Sequence, residues 1–274
     1  MRVRRGAYAP RGPRDDDEQY DLRIHAVLGT RRAPIVLSHF SAARVWRMPI
    51  VNRWPTTVHA TAHPSSRRRS KNGVVIHRAE LPDSELVELD GVLVTSRLRT
   101  LLDLAAIAPM RDAVAALDHE LRLGNVDRTA LDEAAGRLDG VRGRVPARRA
   151  VAFASPLAGS VGESFSRVLL HELGFPAPEL QHRFETAGGV RFADFWWERH
   201  RLVGEFDGRI KYSDDPERAI WDEKLRENEL QEIGERLVRW TWADLVAVTP
   251  FIRRLEAAGP RRALAPGYSA RSGQ

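Results

Sequence analysis

Two short apolar runs in the C-terminal third constrain this chain more than any other feature. Val190 to Trp197 and Arg201 to Phe206 are joined by the polar turn Glu198-Arg-His-Arg201. Such a pair predicts adjacent strands of a hairpin. Side chains alternate faces along a strand, so Glu205 and Asp207 share one face and Asp194 can reach it from the neighbouring strand. Carboxylates gathered this way repel one another unless a cation lies between them. Hard oxygen ligands suit Mg²⁺ or Mn²⁺ better than zinc. The same residues also read as a solvated edge-strand face, with Asp194 capping a turn and Lys211 an ordinary surface charge.

Composition sets the outer limits. The chain has 274 residues with a hydrophobic fraction of 43%, long enough for two domains with proper cores. It contains no cysteine, which rules out disulfides and thiolate metal sites and fits a reducing cytoplasm. Neither an apolar run of membrane-spanning length nor a secretory h-region is visible, so a cytoplasmic protein is expected. Charge is unevenly shared. Residues 1–150 hold 26 Lys and Arg against 18 Asp and Glu, a net +8, whereas 151–274 hold 17 against 19, a net −2. Affinity for a phosphate backbone is therefore expected in the front half. Its sharpest basic feature is the loop-like Ser65-Ser-Arg67-Arg68-Arg69-Ser-Lys71, read either as a solvated loop or as a nucleic-acid contact.

Other segments organise the front half. Residues 1–20 are rich in Arg, Pro and Asp and read as extended or disordered. Ser38 caps a short helix through Trp46. Pro55-Thr-Thr-Val58-His-Ala-Thr61 and Gly73-Val-Val-Ile-His77 bracket the basic loop as two arms of an expected hairpin. Leu86 to Val94 adds strand character, Thr95-Ser96 caps a helix locked by Arg99 and Asp103, and helical periodicity runs over Arg111–Leu123 and Arg128–Leu138. His39, His59, His63 and His77 lack metal-ligand spacing and read as surface or packed histidines. Trp196, Trp197, Trp240 and Trp242 read as core. On the charged helix that begins near Asp222, Lys224 and Arg226, with Trp221 beside them, are candidate DNA contacts.

The stretch from about Ser160 to Leu255 resembles the PD-(D/E)xK restriction-endonuclease-like superfamily, in the branch similar to the very-short-patch-repair endonuclease. The likeness rests on the helix opening Gly162-Glu163-Ser164, the strand entry Pro176-Ala-Pro178-Glu-Leu-Gln181, the Asp194 … Glu205-x-Asp207-Gly hairpin, and the Asp222–Ile233 helix followed by Arg236-Leu-Val-Arg239-Trp240-Thr-Trp242. The resemblance implies Asp194 and Glu205 as metal ligands assisted by Asp207, with Glu163 as outer-shell or water-positioning acid. Gln181 is a further candidate. Asp207 occupies the position where the wider superfamily usually carries lysine, and Lys211 is the candidate substitute, stabilising phosphorane charge or orienting water.

The front half resembles AbiEi-like antitoxins of type IV toxin–antitoxin systems. The matching segments are Leu37-Ser-His-Phe-Ser-Ala-Ala, Val58-His-Ala-Thr, Val75-Ile-His-Arg and Val94-Thr-Ser-Arg-Leu-Arg-Thr-Leu-Leu-Asp-Leu. Arg2-Val-Arg-Arg-Gly6-Ala-Tyr8 resembles the end of a wing, without the two helices of a winged helix-turn-helix before it. Either the start is assigned too late or most of that DNA reader is lost.

Together these readings give an α/β chain, a restriction-endonuclease-like mixed sheet flanked by helices and preceded by a smaller α+β module. The expected boundaries are a basic, partly disordered 1–30, an AbiEi-like module over 31–110, a helical linker over 111–155, a nuclease domain over 156–258 and a disordered tail from 259. The expected function is Mg²⁺- or Mn²⁺-dependent cleavage of DNA by Asp194, Glu205, Asp207, Lys211, Glu163 and Gln181. Arg67, Arg68, Arg69, Lys71, Lys224 and Arg226 would touch nucleic acid. The alternatives are a non-catalytic DNA-binding regulator on a degenerate nuclease fold, and an antitoxin that binds a cognate toxin protein.

Overall fold

The structure, a computed structural model, describes residues 2–10, 12–30, 34–140, 142–208 and 216–262, with the side chains of residues 2 and 216–223 excepted. It is a mixed α/β fold in two compact units, Met1–Pro156 and Leu157–Gln274. Among the described residues no helix is long and apolar enough to cross a membrane.

In unit 1 a two-stranded ribbon, β1 (Arg2–Arg4) and β2 (Ala7–Tyr8), precedes α1 (Asp16–Gly29). The sequence reading expected extended chain here. Asp15 and Glu18 instead form a reciprocal capping box, and Tyr20, Ile24 and Val27 bury one face of the resulting helix. Then follow β3 (Val36–Leu37), α2 (His39–Val45), β4 (Val58–Ala62), β5 (Val74–Arg78), β6 (Leu86–Leu89) and β7 (Val92–Thr95). The described strands form a sheet in the order β5-β4-β3-β7-β6. The expected hairpin across the basic loop is not formed. β4 and β5 pair in parallel, Val58 opposite Val74, so residues 63–73 carry the chain back to the starting edge. Asn72 and Gly73, both at positive φ, turn the loop tightly into β5. α3 (Arg97–Ile107), α4 (Met110–Arg122), α5 (Arg128–Gly136) and α6 (Arg144–Phe153) pack together within this unit, with Leu101, Leu104, Val114, Leu117 and Leu131 fully buried.

Unit 2 comprises α7 (Val161–Glu172), β8 (Glu179–Thr186), β9 (Gly189–Trp197), β10 (Leu202–Asp207), α8 (Pro216–Glu232), β11 (Arg236–Thr241), α9 (Trp242–Ala247) and α10 (Thr249–Ala258). Its sheet runs β11-β10-β9-β8, antiparallel except for the parallel pair β10–β11. The β9–β10 hairpin forms as the alternation predicts, with Arg201 at φ 44° closing the turn. Phe195, Trp197 and Trp240 pack on one face. The Trp240 indole donates to Ser166 of α7 at 2.8 Å and that of Trp197 to the Pro176 carbonyl at 2.8 Å, so these tryptophans are core. Gly204 lies between them, where a Cβ would come within 2.6 Å of Trp240 and 2.9 Å of Trp197. Phe184, Val203, Leu230, Trp196 and Leu237 form a second cluster that seats α8.

Candidate functional site

α7 opens on Ser160, whose hydroxyl accepts the Glu163 N–H at 3.2 Å. Glu163 Oε2 in turn accepts the N–H of Gly159 at 2.8 Å. The Ser-x-x-Glu spacing is that of a capping box, with the return bond made one residue earlier. Capping folds the Glu163 side chain inward and leaves it buried. The same oxygen accepts Gln181 Nε2 at 3.2 Å, and that amide nitrogen lies 3.5 Å from Asp194 Oδ1. Gln181 adopts φ 51° within β8, a left-handed conformation costly for a residue with a Cβ. Its neighbours Leu180 and His182 keep their pairing with Phe195 and Ala193, so the departure is local.

Asp194 completes the group. The pairing of β9 with β10 ends at Phe195 opposite Gly204, and one step on along β9, Asp194 Oδ2 accepts the Phe206 N–H at 3.1 Å. Burial, followed by the nearby Glu163 charge, pushes the Asp194 carboxyl up to about 6, while the Phe206 N–H, Arg226 and Gln181 act the other way. Glu163, Gln181 and Asp194 are thus brought together from α7, β8 and β9.

Glu205 has different company. It stands opposite Arg239 in the parallel register, and Arg239 Nε lies 3.1 Å from its Oε2. Arg226 Nη2, from α8, lies 2.7 Å from its Oε1 and also donates to the Phe192 carbonyl at 2.7 Å. Arg239 further pairs with Glu227 at 3.3 Å. The cationic charge that a buried Glu205 requires is therefore supplied by two guanidinium groups. This network is the feature sequence reasoning missed, because it depends on strand order and on the seating of α8. It also places Arg226 in the interior contacts of the unit. Asp207 is exposed at the end of β10, Lys224 is exposed on α8, and Lys211 lies outside the described residues. Among the described residues no group of three or more His, Cys, Asp or Glu is arranged to hold a metal ion, so Asp194, Glu205 and Asp207 do not stand as a ready-made three-carboxylate cage.

In unit 1 three of the histidines gather. His39 stacks on His77 at a 3.6 Å centroid distance, His77 on His59 at 5.1 Å, and His59 Nδ1 lies 3.0 Å from His77 Nε2. Burial holds all three below the usual imidazole range, His59 at about 4, and they repel one another when charged. Asp103 Oδ2, buried without a hydrogen bond, sits 3.7 Å from His39 Nδ1. Burial pushes Asp103 up to about 6 against the pull of Arg99, which donates to Oδ1 at 2.8 Å. Arg67, Arg69 and Lys71 are exposed on the 63–73 loop, whereas Arg68 is half-buried and donates to the Pro34 carbonyl at 2.6 Å.

No protein-family model matches the chain. It is similar to two Mycobacterium tuberculosis proteins described only as uncharacterized, MT2308 of strain CDC 1551/Oshkosh and Rv2248 of strain H37Rv. Each is 32% identical over 176 residues, 64% of this chain and 64% of the relative. The matching region thus spans less than two thirds of either relative. Among solved structures, the crystal structure of the Rv2827c protein from Mycobacterium tuberculosis is similar at a TM-score of 0.33 and 17% identity, over 54% of this chain and 56% of that one. That likeness is too slight to define the fold.

Proposed function

We propose that unit 2 hydrolyses phosphodiester bonds of DNA with Mg²⁺ or Mn²⁺ held at Asp194. The observation that carries this reading is the pair of carboxylates, half-buried Asp194 and buried Glu163, near enough for one to raise the proton affinity of the other and spaced by the Gln181 amide. Two like charges held this way are relieved by a proton or by a cation. The donors fit a hard ion, since Asp194 and Glu163 offer carboxylate oxygens and Mg²⁺ binds through one or two carboxylates while keeping several waters. When bound, the ion would lower the pKa of a water and offset charge on the phosphate under attack.

The chain's own residues supply placement. The Phe206 N–H fixes Asp194 Oδ2, and among the described residues Oδ1 has the long contact to Gln181. Gly159 N–H and Gln181 hold Glu163, whose role is to orient the attacking water. Gln181, strained at φ 51°, keeps the two acids at a fixed spacing. The test is nicking of supercoiled plasmid and cleavage of short duplex and single-stranded DNA in Mg²⁺ or Mn²⁺, beside Asp194→Ala. The expected result is metal-dependent cleavage by the wild type alone.

One observation favours a second reading, a non-catalytic DNA-binding regulator of the antitoxin type. Glu205 is paired with Arg226 and Arg239, which ties an acid expected to bind metal into the scaffold. DNA binding without cleavage under every metal condition would select this reading.

A further inference from the structure

Two cavities of about 450 and 420 Å³ on unit 1 share Arg4 and Asn72 in their walls. Arg5 and Arg23 line the first, and Arg67, Arg68, Arg69 and Lys71 the second. Among the described residues, seven cationic side chains therefore face this concavity and no Asp or Glu lines either part. Among the described residues none of the seven is in an ion pair. Arg4 is the most telling, because its Nε and Nη1 are buried without a hydrogen-bond partner. Guanidinium nitrogens taken out of water and left without an acceptor are costly, and an anion resolves that cost. Arginine is also the side chain best matched to phosphate oxygens.

The walls are built rather than loose. Arg78 reaches back from β5 to the carbonyls of His63, Pro64, Ser66 and Arg68, drawing the loop carbonyls inward. Ser70 accepts the Ile76 N–H at 2.9 Å, and the Asn72-Gly73 turn fixes the end of the loop beside Lys71. Arg67 and Arg69 are left exposed. On the other side the β1–β2 ribbon packs on α1, which places Arg4 and Arg23 in the same concavity.

We propose that this concavity seats successive phosphates of a nucleic-acid strand, with Arg4 contacting a phosphate where the two cavities join. The inference takes from the proposed function only the identity of the polymer as DNA, and the phosphate chemistry stands without it.

The test uses the full chain in EDTA, so that binding is read without cleavage. Anisotropy of a labelled oligonucleotide is measured across salt concentrations for the wild type, Arg4→Gln, and a double Arg67→Gln/Arg69→Gln variant that leaves the Arg68 contact to Pro34 intact. Arg4→Gln is expected to weaken binding roughly tenfold and to lower the log–log salt slope by about one, and the double variant to lower it by about two. The melting temperature of unliganded Arg4→Gln should equal or exceed that of the wild type, since two buried, unpartnered guanidinium nitrogens have gone. A second arm uses pyrophosphate in a thermal-shift assay. An Arg4-dependent response to pyrophosphate with no oligonucleotide binding would overturn the nucleic-acid assignment. Equal affinity and slope for folded Arg4→Gln and wild type would overturn the seat itself. Arg4-dependent binding without metal-dependent cleavage would leave the seat standing and remove the nuclease reading.

Discussion

Asp194 Oδ2 accepts the backbone N–H of Phe206 at 3.1 Å, one residue past Phe195 on β9 and two past Gly204 on β10, where the pairing of the two strands ends. A side chain thus stands where a strand carbonyl would otherwise continue the ladder. That substitution turns Asp194 toward Gln181 and Glu163, and a hairpin residue joins the group built from α7, β8 and β9.

Asp194→Asn removes one of two neighbouring carboxylate charges, the half-buried one beside buried Glu163. With the folded-state carboxyl raised to about 6 from an ordinary 3.8, the native state binds the extra proton between those values. The wild type therefore loses stability as pH rises from about 4 to about 6 and stays penalised above that. At pH 7.5 without metal, Asp194→Asn is expected to melt higher than the wild type, with the gap closing near pH 4. In the wild type, stabilisation by Mn²⁺ should shrink as pH falls through 6, because protons and metal compete for the same oxygen. Differential scanning fluorimetry across pH and Mn²⁺ concentration checks both.

The histidine stack carries the opposite sign. With His59 held at about 4 against 6.5 for a free imidazole, the unfolded chain takes up the proton first. Stability contributed by neutral His59 is intact above pH 6.5 and lost as pH falls toward 4, by on the order of 3 kcal/mol at full effect. Asp103, raised to about 6 among His39, Arg99 and Glu85, gains stability over the same window, so the test is a difference. Wild-type stability measured relative to His59→Gln by urea unfolding should fall steadily between pH 6.5 and 4.

Gly204→Ala is expected to destabilise unit 2 by about 1–3 kcal/mol, because the added methyl meets the buried rings of Trp240 and Trp197 and neither has room to withdraw. Urea unfolding followed by tryptophan fluorescence reads this directly.

Glu205→Gln leaves Arg226 and Arg239 facing a neutral amide. Both arginines are partly solvated, so a cost of about 1–3 kcal/mol is expected rather than the full penalty of an isolated buried charge. Loss of cleavage in this variant is therefore informative only beside its unfolding curve.

The hairpin was legible because its two strands alternate and are joined by a local turn, so the pattern alone defines the register. Glu163 was legible as a candidate through resemblance, while its capping spacing from Ser160 was equally open to reading. The arginine network around Glu205 was not legible. It arises from the parallel pairing of β10 with β11 and from α8 lying across the sheet, neither of which leaves a local mark. The β4–β5 pair shows the same limit, since two short apolar runs around a loop do not encode direction, and here 11 residues return the chain for a parallel pair. The stack of His39, His59 and His77 is assembled from three elements far apart in the chain, so spacing arguments could not find it. α1 was missed although Asp15 and Glu18 spell a cap, because the charged composition of the first 20 residues outweighed the helical spacing that follows.

The most direct measurement is a cleavage assay on supercoiled, duplex and single-stranded DNA in Mg²⁺ and in Mn²⁺, comparing wild type with Asp194→Ala from parallel preparations of matched melting behaviour. Nicked or linear product in the wild type, abolished by EDTA and absent from Asp194→Ala, is the expected result. Equal product from both proteins, or none from a wild type that binds the same DNA, would contradict the assignment of phosphodiester hydrolysis to Asp194.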